Sequence, residues 1–373
     1  MLRHRSTKIF FDLLRAGLWK SPLAQLNCFP LSEQEWGAIY KLSIEQAVDG
    51  IVFDGLLQLP HELFPPRRLF IKWFVRKEKI EQLNQVMETE IAEQAAMFQA
   101  VGLSPLLIKG QGVAKCYTNP KSRICGDIDW VFLNKKDLEK AINQVKMQGL
   151  TVVKDSSGSA LLKWKTCEMD LHNRMFDLYN PFLKDFLFAF MKSEKRRRQQ
   201  IKMHDTTILL PSIMEQMLIV NTHIFRHLLS FGIGLRQVCD SAMLYANYHD
   251  QYDRRQLDRL YHYLGIGRWT TALHVLLVQY IGLPKVFLPV AINEDADVDW
   301  IMEDILLSGN FGFHAPRDKN NSSGTHMGNR RMYRSWFGRV LNYFPLAPME
   351  SMCFPVVHLY NSLTNRRIPP HNS

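Results

Sequence analysis

An α+β chain is predicted by three features of the sequence. The first hundred residues carry apolar side chains three and four apart. The segment from Leu106 to about His172 breaks into apolar runs of strand length. The chain after Met175 returns to helical spacing. The implied arrangement is a small core with a mixed sheet, flanked by N-terminal helices and a C-terminal helical bundle. Its regions span residues 1–102, 103–205 and 206–373.

Within the helical start, Ile9, Phe10, Leu13, Leu14 and Leu18 recur at helical spacing. Asp12, Arg15 and Lys20 interrupt the run, which makes it a poor signal peptide; an amphipathic helix packed on the protein is the better reading, with an organelle-targeting helix as the alternative. Leu42 to Leu59 and Phe70 to Phe98 continue the pattern, with turns at Pro60, Pro65 and Pro66. One long helix is expected to end near Gly102.

The central segment opens with the run Leu106 to Lys109, then Gly110-Gln111-Gly112 and a short helix-compatible stretch. Asp127 to Leu133 begins with polar and apolar residues in alternation, as a half-buried strand does. Asn134 caps an expected helix over Lys135 to Met147. Three further short strands follow, TVVKD, ALLKWK and CEMDLH, with a turn at Ser156 to Ser159. The basic run Lys192 to Lys202 reads as a solvated helix or loop face, with contact to phosphate as the alternative. Ile213 to Tyr248 and Arg254 to Ile281 read as helices, and residues 316–328 as a mobile loop.

Composition excludes several classes. The chain has 373 residues, 46% hydrophobic and 22% charged, which suits a globular protein rather than a disordered one. Its net charge of +10 attracts polyanions without choosing among them. The six cysteines lack the spacing of a zinc ribbon or a disulfide scaffold, so reduced thiols and a cytoplasmic location are expected. The most apolar stretch, Thr271 to Leu283, is too short to span a bilayer.

The chemistry is concentrated in the central segment. Asp127 and Asp129 are two apart on a strand and so project from one face, while Ile128 and Trp130 point the other way. Two carboxylates held that close repel, and a hard divalent cation such as Mg²⁺ relieves the repulsion. The alternative is a pair of solvated strand carboxylates. Upstream, Gly110 lets the backbone approach a ligand closely just before a helix N-terminus, where phosphate is favoured. Downstream, Asp170 lies in another short strand and joins the same cluster if the two strands pair.

This order of strand–glycine, helix, D-h-D-h and later h-D-h resembles the DNA polymerase β-like nucleotidyltransferase superfamily. The stretch KGQGVAKCY…PKSRICGDIDWVF…MDLH resembles, more closely, an uncharacterised bacterial nucleotidyltransferase family with an LKG…Y…R…DIDLL…VDLH pattern. The resemblance implies that Asp127 and Asp129 bind Mg²⁺ on the nucleotide phosphates. It makes Asp170 the third carboxylate, either a ligand of the second of two ions or the base for the acceptor hydroxyl. Gly110 would line the triphosphate, with Gln111 beside it where the superfamily has Gly or Ser. Lys109 and Arg123 are phosphate partners by charge, with surface ion pairing as the alternative. By resemblance, Arg236 and Asp240 would face the nucleotide from the helical region, against ordinary helix packing.

The function so implied is Mg²⁺-dependent transfer of a nucleoside monophosphate from ATP or another nucleoside triphosphate. The acceptor is a hydroxyl or phosphate of a small molecule, a protein or RNA. The second reading is a catalytically idle nucleotide- or RNA-binding module on the same fold. Three other features carry less. His223 and His227 share a helix face without a zincin glutamate. His172 reads as a solvated histidine at a strand end. Cys125 has no partner base in its neighbourhood.

Overall fold

The computed structural model describes residues 1–154, 159–310 and 337–363. The turn expected over Ser156 to Ser159 lies almost wholly outside them, and the loop expected at 316–328 lies entirely outside. The chain forms two compact units, each gathered from separate stretches. The first comprises Met1–Ile80, Tyr117–Ile124 and His223–Met352; the second comprises Glu81–Cys116, Cys125–Thr222 and Cys353–Ser373.

The first unit is helical. Helix α1 (Arg5–Trp19) buries Ile9, Phe10, Leu13, Leu14 and Leu18, so the amphipathic N-terminal run packs on the protein as its periodicity predicts. Helix α2 (Glu33–Glu45) starts on a capping box: Ser32 accepts from the Glu35 N–H while the Glu35 carboxylate accepts from the Ser32 N–H. Helix α3 (Asp49–Leu56) meets α1 backbone to backbone. A Cβ on Gly17 would lie 2.0 Å from the Ile51 carbonyl oxygen, and one on Gly55 would lie 1.9 Å from that of Leu13. Only glycine permits this approach.

Helix α4 (Arg67–Ala100) runs for 34 residues from the first unit into the second. Gly102 ends it at φ 73°: its N–H donates to the Gln99 carbonyl and the Leu103 N–H donates to that of Phe98.

The second unit is built on a seven-stranded mixed sheet. Its strands in chain order are β1 (Leu106–Ile108), β2 (Asp127–Val131), β3 (Val153–Lys154), β4 (Ala160–Trp164), β5 (Cys167–His172), β6 (Gln199–Met203) and β7 (Thr206–Leu210). In space the order is β3-β4-β5-β2-β1-β7-β6. Strand β2 runs parallel to β5 and antiparallel to β1, and β1 runs parallel to β7. Helix α5 (Gly110–Ala114) follows β1, and helix α6 (Lys135–Met147) follows β2 behind the Asn134 cap.

One face of the sheet is sealed by apolar packing. Ile91, Ala95 and Phe98 of α4 and Leu138, Ile142 and Val145 of α6 share a core with Ile128, Trp130, Met169 and Leu171. Trp130 donates its indole N–H to Gln94 at 2.7 Å. Glu90 of α4 accepts from the N–H groups of Thr166 and Cys167 at 3.1 and 3.2 Å, which satisfies the tight turn between β4 and β5. With Ile128 and Trp130 committed to this core, strand alternation sends Asp127 and Asp129 to the opposite face.

One expectation is corrected. After Met175 the sequence reads as returning to helix, with the basic run Lys192 to Lys202 as a solvated helix or loop face. Instead β6 and β7 form a hairpin that extends the sheet. The hairpin is short, and the basic residues ahead of it mask its alternation. Helix α7 (Lys184–Glu194) precedes it. Further helices are α8 (Ile213–Leu229), α9 (Leu235–Tyr248), α10 (Arg254–Tyr263), α11 (Gly267–Leu276), α12 (Asp299–Ser308) and α13 (Pro348–Leu363). No described helix is long and apolar enough to cross a membrane.

Candidate functional site

The site is set by the pairing of β2 with β5. In that parallel register Asp129 lies opposite Asp170, and Asp127 lies opposite Glu168. Asp129 and Asp170 therefore face each other from adjacent strands, on the side of the sheet away from α4 and α6. Strand β5 extends through His172, which shares the face of Asp170. The His172 Nε2 lies 2.9 Å from Asp129 Oδ1 and 3.2 Å from Asp170 Oδ2. Side-chain exposure is 7% for Asp129, 16% for Asp170 and 22% for His172, so the cluster is largely withdrawn from water yet open on one side.

The electrostatics follow from that withdrawal. Burial pushes the Asp170 carboxyl up to about 7; the charges of Asp129 and Asp127 push the same way, while His172 and Lys109 oppose them. Burial alone would lower the imidazole of His172. Its hydrogen bond to Asp129 and the charge of Asp170 outweigh burial and raise it. The cluster therefore draws positive charge, as a proton or as a cation. One ligand atom from each of Asp129, Asp170 and His172 lies within 4.8 Å of the others, and among the described residues no other such group of three or more converges. The two carboxylates are hard oxygen ligands that fit Mg²⁺, and the imidazole nitrogen beside them would suit a transition metal or serve as a hydrogen-bond partner of the carboxylates. Asp127 stands at the exposed start of β2 and reaches the cluster through its charge on Asp170.

The end of β1 supplies the next residues. Lys109 takes φ 55° and ψ −144°, a sparsely populated conformation for a residue with a side chain, and its Nζ lies 3.8 Å from Asp177. Its charge also acts on Asp170. Gly110 has φ 35°, and a Cβ there would sit 3.4 Å from the Asp127 carbonyl oxygen. The side chain of Gln111 is buried and donates to Asn84 of α4 at 2.9 Å. Helix α5 has only five residues, so its dipole is small.

The other sequence-selected residues lie in the first unit. Arg123 grips Asp240 with both arms of its fork, Nε to Oδ1 at 2.8 Å and Nη2 to Oδ2 at 2.6 Å. Tyr117 donates its hydroxyl to the same carboxylate at 2.6 Å. Burial and the Asp240 charge hold the Tyr117 hydroxyl well above its ordinary range. Arg236 donates Nη1 to the Ile124 carbonyl at 3.2 Å. His223 and His227 meet edge to face, ring centroids 4.3 Å apart.

Sequence reasoning undervalued His172. The signal was present, since Asp170 and His172 are two apart, as Asp127 and Asp129 are. It was obscured because CEMDLH carries no mark of where its strand ends.

Comparison with known proteins places the chain in a family. Residues 32–281 match the family model described as uncharacterised nucleotidyltransferase. No curated protein matches the chain. Among solved structures, a similar one is the crystal structure of an antigenic nucleotidyltransferase-like protein from Paracoccidioides brasiliensis. The two share 9% identity over 55% of this chain and 93% of that one, with a TM-score of 0.31.

Proposed function

Since this chain belongs to the uncharacterised nucleotidyltransferase family, we propose that it transfers a nucleoside monophosphate from a nucleoside triphosphate to an acceptor hydroxyl or phosphate, with Mg²⁺. The observation that carries the reading is Asp129 facing Asp170 across β2 and β5, with His172 Nε2 between them. Membership of the DNA polymerase β-like superfamily is part of the same proposal. So is a cytoplasmic setting, which rests on the scattered cysteines.

In this reading Asp127 and Asp129 would hold Mg²⁺, and Asp170 would be either a ligand of a second ion or the base for the acceptor. When bound, the ions would offset the charge that builds on the attacking and leaving oxygens. His172 orients the Asp129 carboxylate by its hydrogen bond. Where Asp170 is the base and not a ligand, the raised proton affinity of its metal-free carboxyl suits it to take the acceptor's proton. The acceptor oxygen bonds to the α-phosphorus, the bond to pyrophosphate breaks, and the acceptor proton goes to a carboxylate oxygen of Asp170. Lys109, Gly110 and the backbone of Gln111 would line the triphosphate. Arg123, Arg236 and Asp240 are proposed as nucleotide-binding residues within the helical unit. The bidentate grip of Arg123 on Asp240 makes that role one of shaping the backbone around Ile124.

The test is transfer from triphosphates labelled at the α-phosphate, with Mg²⁺, over sugar, protein and RNA acceptors. Label on an acceptor with release of pyrophosphate is expected. Asp129→Asn should reduce it by more than the ~100-fold that follows loss of an outer-shell partner. Undiminished transfer in Asp129→Asn would refute the assignment. Calorimetry that finds nucleotide binding indifferent to Mg²⁺ would favour an idle binding module.

A further inference from the structure

We propose that the outer face of α7, with the turn that follows it, binds single-stranded nucleic acid. The run Lys192 to Arg198 holds five cations, and the structure divides them. Arg198 is buried against Glu215 at 2.9 Å, and Arg197 pairs with Glu194 at 2.9 Å. Among the described residues, Lys192, Lys195 and Arg196 enter no ion pair, nor does Lys184 at the start of the helix. Lys192, Ser193, Lys195 and Arg196 line an open depression of ≈ 650 Å³.

Aromatic rings are interleaved with these charges. Phe188 is 64% exposed and Phe182, just ahead of the helix, is 83% exposed. At 3.6 residues per turn, Lys184, Phe188 and Lys192 fall on one stripe, since each is four residues beyond the last. The opposite side of α7 is already occupied, with Leu183, Phe190 and Glu194 buried and Phe190 set 6.1 Å from the Phe176 ring. A ring left in water between two cations matches the needs of a flexible strand, whose bases stack while its phosphates find charge. A membrane-surface helix instead segregates its apolar residues onto one continuous face. In α7 Phe190 is buried, and the exposed Phe188 stands between Lys184 and Lys192 on the charged stripe. Asp185 is the exposed acid near the stripe, one residue beyond Lys184.

Fluorescence anisotropy with labelled twelve-nucleotide RNA and DNA strands tests this on the full chain, without nucleotide or Mg²⁺. Three or four phosphate contacts predict a log–log salt slope of about −2 to −3, or roughly 20- to 50-fold weaker binding between 50 and 200 mM salt. The variant with Lys192→Gln, Lys195→Gln and Arg196→Gln should lose about 2 of that slope. Phe188→Ala should weaken binding about fivefold or more for single strands and leave duplex binding unchanged. All four side chains are exposed, so each variant should melt as the wild type does. Binding of RNA and DNA alike supports a stacking surface, and preference for RNA adds recognition of the 2′-hydroxyl. The proposal is overturned by single-strand binding that ignores the triple substitution or Phe188→Ala, by duplex bound as tightly as single strands, or by sedimentation with phosphatidylserine vesicles in place of oligonucleotide binding. Binding survives failure of the proposed transfer reaction, because its readout needs no catalysis.

Discussion

At Asp170 a proton and the proposed metal ion would compete for the same carboxylate. Its folded-state carboxyl, at about 7, lies above the ordinary carboxylate value of 3.8. The native state therefore binds more protons than the unfolded chain between roughly pH 4 and pH 7, and stability falls as pH rises through that window. Below it both states are protonated, and above it the native state carries a penalty on the order of a few kcal/mol. In metal-free protein, Asp170→Asn should melt higher than wild type at pH 8 and match it near pH 4. Thermal melts across pH read this directly. His172 works on the same oxygens, so His172→Ala should lower Mg²⁺ affinity about 10- to 100-fold without unfolding the protein. Isothermal titration at pH 8 measures that change, and an unchanged affinity would leave His172 a bystander.

At the scale of elements, close approach is the controlling feature. Helices α1 and α3 meet where the Gly17 and Gly55 backbones leave no room for a methyl group. Gly17→Ala should therefore destabilise the protein by at least about 2 kcal/mol in urea unfolding, as overpacked sites do. Gly37 is the control, because it sits in α2 with nothing within 4 Å of an added Cβ. Gly37→Ala should stabilise by ~0.5–1 kcal/mol through its effect on the unfolded chain. In the second unit, α4 seals the sheet and also satisfies the β4–β5 turn through Glu90. One helix thus fixes the strand that carries Asp170 and His172.

At the scale of the whole molecule, the chain enters and leaves each unit more than once. Residues Tyr117–Ile124 separate two stretches of the sheet unit yet belong to the helical one. The buried Arg123–Asp240 pair, with Tyr117 on the same carboxylate, holds them there. Asp240→Asn leaves Arg123 without its counter-charge and should destabilise by about 3–5 kcal/mol. Differential scanning calorimetry would show it as a loss in the first unit's transition. If Asp240→Asn instead weakens nucleotide binding at unchanged stability, the pair acts on ligand rather than on the fold.

Local pattern determined much of this protein. Helical spacing placed α1, α4 and the helices between Ile213 and Ile281, and strand alternation put Asp127 and Asp129 on the face opposite Ile128 and Trp130. Those features depend on residues within a few positions of one another, so a linear reading reaches them. Tertiary structure alone decided that β5 pairs parallel to β2 in the register that sets Asp170 against Asp129, and that β5 continues to His172. It also decided that β6 and β7 complete the sheet, that Gln111 turns into α4, and that Arg123 grips Asp240 across 117 positions of sequence. Strand pairing and ion pairing at such separations are chosen by the packing of the whole chain, which no short window of sequence contains.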